Sequence, residues 1–138
     1  LENIFNFNYF KRYIKGRNRI IKDLLMDQKF VSGLGNIYVN EILYYSNIMP
    51  DRKICKINDL EIKKIIKNTK KILRKAIALG GSSIKDFFNS SGKIGSFQQH
   101  FSVYGRNDQE CSNSDCNVKI KKISQSNRAS FFCPNCQK

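Results

Sequence analysis

The sequence predicts a mainly α fold that closes in a small, cysteine-held β-hairpin. Three observations predict it. Apolar residues recur at helical spacing through most of the chain, an alternation of apolar and basic residues replaces that period near the end, and four of the five cysteines fall after Glu110. The change of texture places a boundary near Asn107, with a helical domain over 1–107 and a four-cysteine module with its hairpin over 108–138.

Each element has a local reason. In NFNYFKRYIKG, Tyr9, Phe10, Tyr13 and Ile14 share a helical face and Gly16 is suited to end the helix. Asn18 is suited to cap a second helix, in which Ile21, Leu24, Leu25 and Gln28 fall on one side. The turn Ser32-Gly33-Leu34-Gly35 interrupts the run, and a third helix is expected from Asn36 to about Asn47, stopped by Pro50. Asn58 and Glu61 have capping-box spacing ahead of a long helix. Ile62, Ile65, Ile66, Thr69, Ile72, Leu73, Ala76 and Ile77 form its apolar stripe, lysines cover the rest, and Gly80-Gly81 closes it. A short helix over 83–88, a glycine-rich loop over 90–97 and an extended FSVYGRN segment are expected next. NVKIKKIS and ASFFC then read as two strands joined at Gln125-Ser126-Asn127.

Charge narrows the function classes. Lys and Arg number 25 against 11 for Asp and Glu, a formal net charge of +14. Such an excess repels itself unless a polyanion is near, so nucleic acid is the leading partner class. A membrane is not expected, because no apolar run approaches the ~20 residues that a span requires. The first residues also lack the apolar stretch of a secretory signal. Part of the lysine content follows an overall richness in Asn, Lys and Ile. The chain opens on Leu1 rather than Met, as a piece of a longer protein would.

The cysteine spacing Cys111-x4-Cys116-x16-Cys133-x2-Cys136 carries the clearest chemistry. Two short-spaced pairs at either end of a hairpin bring four thiolates to one tetrahedral point, which suits a structural Zn²⁺. Such a site has no open position for water and serves to hold a hairpin too small for its own core. Unpaired buried cysteines or two disulfides are the alternative. Cys55 stands alone with no activating neighbour, and the one histidine, His100, has no evident carboxylate partner. No carboxylate pair, Ser-His-Asp order or P-loop is present, so spacing alone shows no catalytic centre.

Two further features suit phosphate. The hairpin carries Lys119, Lys121, Lys122 and Arg128, the last just after the turn, where a planar guanidinium can grip two oxygens. The glycine turn ends at Asn36, a suitable N-cap, and outward-pointing amides at a helix start attract anions. Gly33 and Gly35 leave room for the approach. Alternatively, the turn only joins two helices, and the basic surfaces are merely solvated.

The motifs LLMDQKFVSGLGNIYVNEILYYSNIMPDR, GGSSIKDF, the glycine loop with VYGR, and NRASFFCPNCQK occur in one order over nearly the whole chain. Together they resemble the C-terminal half of the formamidopyrimidine-DNA glycosylase and endonuclease VIII family. The fold implied is a helix–two-turn–helix bundle followed by a zinc finger. The resemblance also implies a base-excision-repair enzyme that excises 8-oxoguanine and formamidopyrimidines from damaged double-stranded DNA and cleaves the abasic site. Its nucleophile is an N-terminal proline in a separate catalytic domain. Leu1-Glu2 does not match that Pro-Glu start, so no catalytic residue is expected here and the chain alone is expected to be inactive.

By resemblance, Asn36 with Gly35 is the phosphate-binding turn, Lys22 lies near DNA and lesion, and Arg128 grips phosphates beside the flipped nucleotide. Arg106 of VYGR and Lys85 join this DNA-binding set. Ser90, Gly92, Lys93, Gly95, Ser96 and Phe97 match a loop that covers the extruded base, and Cys111, Cys116, Cys133 and Cys136 match the zinc ligands. A monomer in bacterial cytoplasm, on the nucleoid and joined to its own catalytic domain, is implied. Two departures stand out. The first knuckle is C-x4-C where C-x2-C is usual, and Ser96 holds a loop position that is often larger. The competing readings are a non-enzymatic zinc-ribbon module that binds RNA and, third, a zinc-dependent protein-interaction module.

Overall fold

The structure, a computed structural model, describes residues 5–78 and 101–138. The end of the long helix at Gly80-Gly81, the 83–88 helix, Lys85, the 90–97 loop and His100 lie outside the described residues. Helices α1 (Phe7–Ile14), α2 (Ile21–Met26), α3 (Asn36–Tyr45) and α4 (Asp59–Ala78) precede an antiparallel hairpin of β1 (Lys121–Gln125) and β2 (Arg128–Phe132). No described helix is long and apolar enough to cross a membrane.

α1 begins where the Asn6 side chain accepts the Tyr9 amide at 2.9 Å, and its Phe10 is fully buried. Phe10 meets Phe5 and Phe30 edge-on or tilted, and the Tyr9 hydroxyl donates to the Phe30 carbonyl. That aromatic cluster anchors α1 over the turn that follows α2. α2 is shorter than the spacing suggests and is not capped by Asn18. Its N-cap is Ile20, because the preceding chain is held extended by an Ile20–Lys53 bridge, with the Ile21 amide donating to the Arg52 carbonyl. Ile21, Leu24 and Leu25 are buried as expected, whereas Gln28 lies beyond the helix and braces the glycine turn. Its Oε1 accepts the Gly33 amide and its Nε2 donates to the Leu34 carbonyl, both at 3.0 Å. Gly33 has φ +95°, a left-handed conformation that a side chain would resist.

α3 is buried from Ile37 to Tyr44. It ends two residues before the expected Asn47, in a motif that uses Asn47 at φ +62°. The Asn47 amide donates to the Tyr44 carbonyl and the Ile48 amide to the Leu43 carbonyl, which satisfies two otherwise orphaned carbonyls. α4 starts with the anticipated reciprocal capping box. The Glu61 amide donates to Asn58 at 2.8 Å and the Asn58 amide to Glu61 at 3.0 Å. Arg52 completes it with a two-pronged contact to the Glu61 carboxylate at 2.8 and 2.9 Å, which holds that carboxyl below its ordinary range.

Two apolar cores flank α3. The larger unites α1, α2 and most of α3 with Ile62, Ile65, Ile66 and Ile72 of α4. The smaller joins Tyr44 and Val103 to Ile120, Phe131 and the cysteines. The 101–107 segment is a turn rather than the extended run expected. The Arg106 amide donates to the Val103 carbonyl, and Gly105 adopts φ +73°. The hairpin pairs Gln125 with Arg128 and Lys121 with Phe132. Ser126 and Asn127 both have positive φ, 52° and 64°, the two-residue turn whose twist matches the strands.

Candidate nucleic-acid interface and metal centre

The four cysteines of the end module converge. Their sulfurs all lie within 4.8 Å of one another, with Cys111–Cys136 at 3.8 Å and Cys116–Cys133 at 3.7 Å. A disulfide needs about 2.05 Å. A tetrahedral zinc with bonds of about 2.3 Å has sulfur–sulfur edges of about 3.8 Å. The donor set and the spacing therefore fit a four-thiolate metal site, and the x4 knuckle reaches it as readily as the x2 knuckle. Burial pushes the Cys136 thiol up to about 12 and raises Cys133, whereas the Val118 amide brings Cys116 down to about 7; gathering all four as thiolates carries a cost that a dication relieves. Neighbours donate towards the sulfurs: the Cys136 amide to Cys133, the Asn135 amide side chain to Cys116, and the Val118 amide also to Cys116. The Tyr44 hydroxyl of α3 stands 3.1 Å from the Cys111 sulfur.

The phosphate candidates group on the opposite end of the hairpin. Arg128 is exposed at the first position of β2, and its side chain makes no hydrogen bond or ion pair with the described residues. Its backbone is set by the next residue. The Ala129 carbonyl receives Lys22 Nζ at 3.0 Å, Asn36 Nδ2 at 3.0 Å and, more weakly, Asn40 Nδ2 at 3.4 Å. Asn40 Oδ1 accepts the Phe131 amide at 2.8 Å, and Lys22 also donates to Ser130 Oγ at 2.6 Å. Three side chains from α2 and α3 thus clamp one strand and fix the direction in which Arg128 leaves it.

This geometry corrects the expectation that Asn36 caps α3. Asn36 is the first residue of α3, whereas Gly35 is its N-cap, and the Asn36 amide group is engaged with Ala129 rather than turned to solvent. Its Oδ1 is buried without a partner. What the turn offers an anion is backbone: the first α3 amides, beside an exposed Gly35 around which an added Cβ would meet nothing within 4 Å. Arg106, expected at DNA, braces its own turn. It donates to the Ser102 carbonyl, to Gln109 and to the Glu110 carbonyl at 2.8 to 3.1 Å.

Lys22 is 2% exposed, so it acts beneath the surface. Burial lowers its pKa to about 8; Asp23 opposes the shift and the Arg128 guanidinium adds to it. Lys22 and Arg128 line one open hollow together with Arg19, Asp23, Gln125 and Ser126. Asp27 also lines it but is paired with Arg19, so the repulsion between Lys22 and Arg128 is eased only by Asp23, and an anion placed beside them offsets both.

Sequence reasoning missed Asn40, Ser130 and Glu41. Glu41 is 2% exposed and its carboxylate accepts three successive amides, Ser102, Val103 and Tyr104, at 2.6, 2.9 and 3.0 Å. Burial raises its pKa, against those three amides and the Arg106 guanidinium. The available signal was a lone charge inside the apolar run NIYVNEILYY, since a charge on an all-buried helix must find donors. Asn40 had a signal too, one helical turn after Asn36.

A bundle broken by a glycine turn and packed on a four-thiol hairpin defines the class as an H2TH protein, and the family model "Formamidopyrimidine-DNA glycosylase H2TH domain" matches residues 1–88. The chain belongs to the formamidopyrimidine-DNA glycosylase family. It is 43% identical over its whole length to the formamidopyrimidine-DNA glycosylase of Listeria monocytogenes serovar 1/2a and 41% identical to that of Ruegeria pomeroyi. It spans about half the length of the curated relatives it matches, 50% and 49% in these two. Among solved structures, the Lactococcus lactis Fpg in complex with DNA containing an abasic site superposes with a TM-score of 0.85 at 36% identity. That match covers 97% of this chain and 48% of the other. MutM in complex with DNA containing carbocyclic 8-oxo-G gives 0.83 at 35% identity, covering 97% and 47%.

Proposed function

We propose that this chain is the DNA-gripping C-terminal part of a bifunctional DNA glycosylase/AP lyase that excises oxidised purines in base excision repair. Relatives of that name and solved complexes with abasic and 8-oxo-G DNA support the reading. The observation in this chain that carries it is Arg128: an exposed guanidinium at a hairpin tip, aimed by the Ala129 clamp and next to a hollow that already contains a buried ammonium. Chemistry on a stacked base requires that it leave the duplex, at a cost of a few kcal/mol. Charge-assisted contacts to the flanking phosphates offset that cost and hold the duplex open. Arg128 supplies the direct grip, the amides at the start of α3 a second contact, and Lys22, Asn36 and Asn40 the orientation of the strand.

Cys111, Cys116, Cys133 and Cys136 would hold one Zn²⁺, whose chemistry is structural: it joins the two knuckles and so supports β1 and β2. Lys85 and the 90–97 loop, with Ser90, Gly92, Lys93, Gly95, Ser96 and Phe97, are assigned to the lesion side by resemblance alone. Excision itself is assigned to a separate domain of a longer parent, and the chain by itself is expected to bind without cleaving. The test is affinity for a duplex with a central abasic site. Arg128→Ala is expected to weaken it tenfold or more while zinc content stays the same. Unchanged affinity, or preference for a structured RNA over the duplex, overturns the reading.

A further inference from the structure

α3 divides the molecule into two sides. Asn36, Asn40 and Tyr44, one helical stripe, face the hairpin and the thiol cluster. The other side of α3 shares the larger core with the isoleucines of α4. The outer face of α4 therefore points away from Arg128. From Ile62 to Ala78 this helix contains no acidic residue, and Lys63, Lys64, Lys67, Lys71 and Lys75 are exposed or half-exposed along it. Lys63, Lys67, Lys71 and Lys75 repeat every fourth position, about 6 Å of rise and about 40° of rotation per step, so the row winds round the helix until Lys71 and Lys75 border the hollow beside Tyr45 and Phe101. Like charges at that spacing destabilise a helix. The acids of the first turn are engaged mainly elsewhere, Asp59 with Lys11 and Glu61 with Arg52, and of the α4 lysines Glu61 eases only Lys64.

We propose that the outer face of α4 is a second, sequence-independent surface for duplex DNA, so that one molecule touches two DNA segments. Charge complementarity selects the occupant: a dense, winding row of cations with no intervening acid fits the phosphates of a duplex, and its binding releases counterions. A membrane surface fits less well. An interfacial helix inserts a free apolar face, and the apolar stripe of α4 is already buried against α3. α1 extends the basic surface, with Lys63 lying over the Phe7 ring at 5.2 Å and Arg12 and Lys15 exposed nearby.

The surface does not depend on the Arg128 grip, and two variants separate them. Lys64→Gln/Lys67→Gln/Lys71→Gln changes only exposed side chains. In an Arg128→Ala background, the triple change is expected to lower the salt-dependence slope for an undamaged duplex by about 2.7, that is about 0.9 per lost phosphate contact. In the otherwise native protein it should abolish bridging, read as energy transfer between two differently labelled duplexes, and leave affinity for the abasic duplex within twofold. Bridging that persists in the triple variant, or an unchanged slope, overturns the proposal. So does binding of phosphatidylserine vesicles through these lysines with no effect on the duplex. Failure of the Arg128 reading shows separately, as abasic-site affinity that survives Arg128→Ala alone.

Discussion

The two sides of α3 hold their neighbours by different physics. Towards α4 the seam is apolar: Ile62 and Ile65 are fully buried, and the polar Thr69 among them donates to the Ile65 carbonyl of its own helix. Towards the hairpin the seam is polar, with Lys22, Asn36 and Asn40 meeting the Ala129 carbonyl and the Phe131 amide. Apolar contact is strong and tolerant of direction; hydrogen bonds contribute less each but demand alignment. One seam keeps the bundle folded, and the other aims a guanidinium.

The largest effect that can break this contrast is at the metal site. Cys133→Ser is expected to remove zinc and unfold the hairpin, seen as lost amide protection over 108–138, while α1 to α4 stay protected. Cys55→Ser should leave the metal content unchanged. If the helices melt along with the hairpin, the two seams are not separable.

Ile65→Ala attacks the apolar side. It removes a fully buried side chain and should lower stability by about 2–5 kcal/mol in denaturant titration. The DNA affinity of the molecules that remain folded should not change. A parallel loss of affinity would mean that the α4 seam also aims Arg128.

Lys22 sharpens the polar side through pH. Its folded pKa, about 8, lies below the ordinary 10.5, so the folded state resists the proton. The penalty is complete below pH 8 and is relieved as pH rises from about 8 to beyond 10.5, where the unfolded chain binds more protons than the folded one. Stability of the native protein relative to Lys22→Met should therefore rise across that window, by on the order of 3 kcal/mol at most. Parallel curves for the two proteins would show that the ammonium is not confined. Bound DNA should reduce the difference, because a phosphate in the hollow favours the charged form.

The smallest effect belongs to the exposed Lys11–Asp59 pair. Asp59→Asn should shift stability by about 0.5 kcal/mol or less. A larger loss would implicate the start of α4 in holding α1.

Much of this was legible in the sequence. The Asn58–Glu61 box, the apolar stripe of α4 from Ile62 to Leu73, the turn before Arg128 and the four-cysteine spacing are local patterns, and each occurs where expected. Errors arose where a distant segment competed for a local residue. Asn18 lost its cap role because Ile20 pairs with Lys53, and Asn36 was drawn inside the fold by a carbonyl 93 positions away. The roles of Glu41 and Arg106 depend on the same turn, and its form depends on both of them.

By itself the sequence determined the class of fold, the cation excess and the ligand set of the metal site. These follow from periodicity, composition and short spacing, which need no knowledge of the rest of the chain. Only the tertiary structure decided what aims the grip. The Ala129 carbonyl has two lone pairs open to any donor that packing brings near, and no spacing between Lys22, Asn36 and residue 129 encodes that meeting. It also decided that the lysines of α4 face away from Arg128, because a helix reveals its buried stripe in sequence but not what lies beyond it.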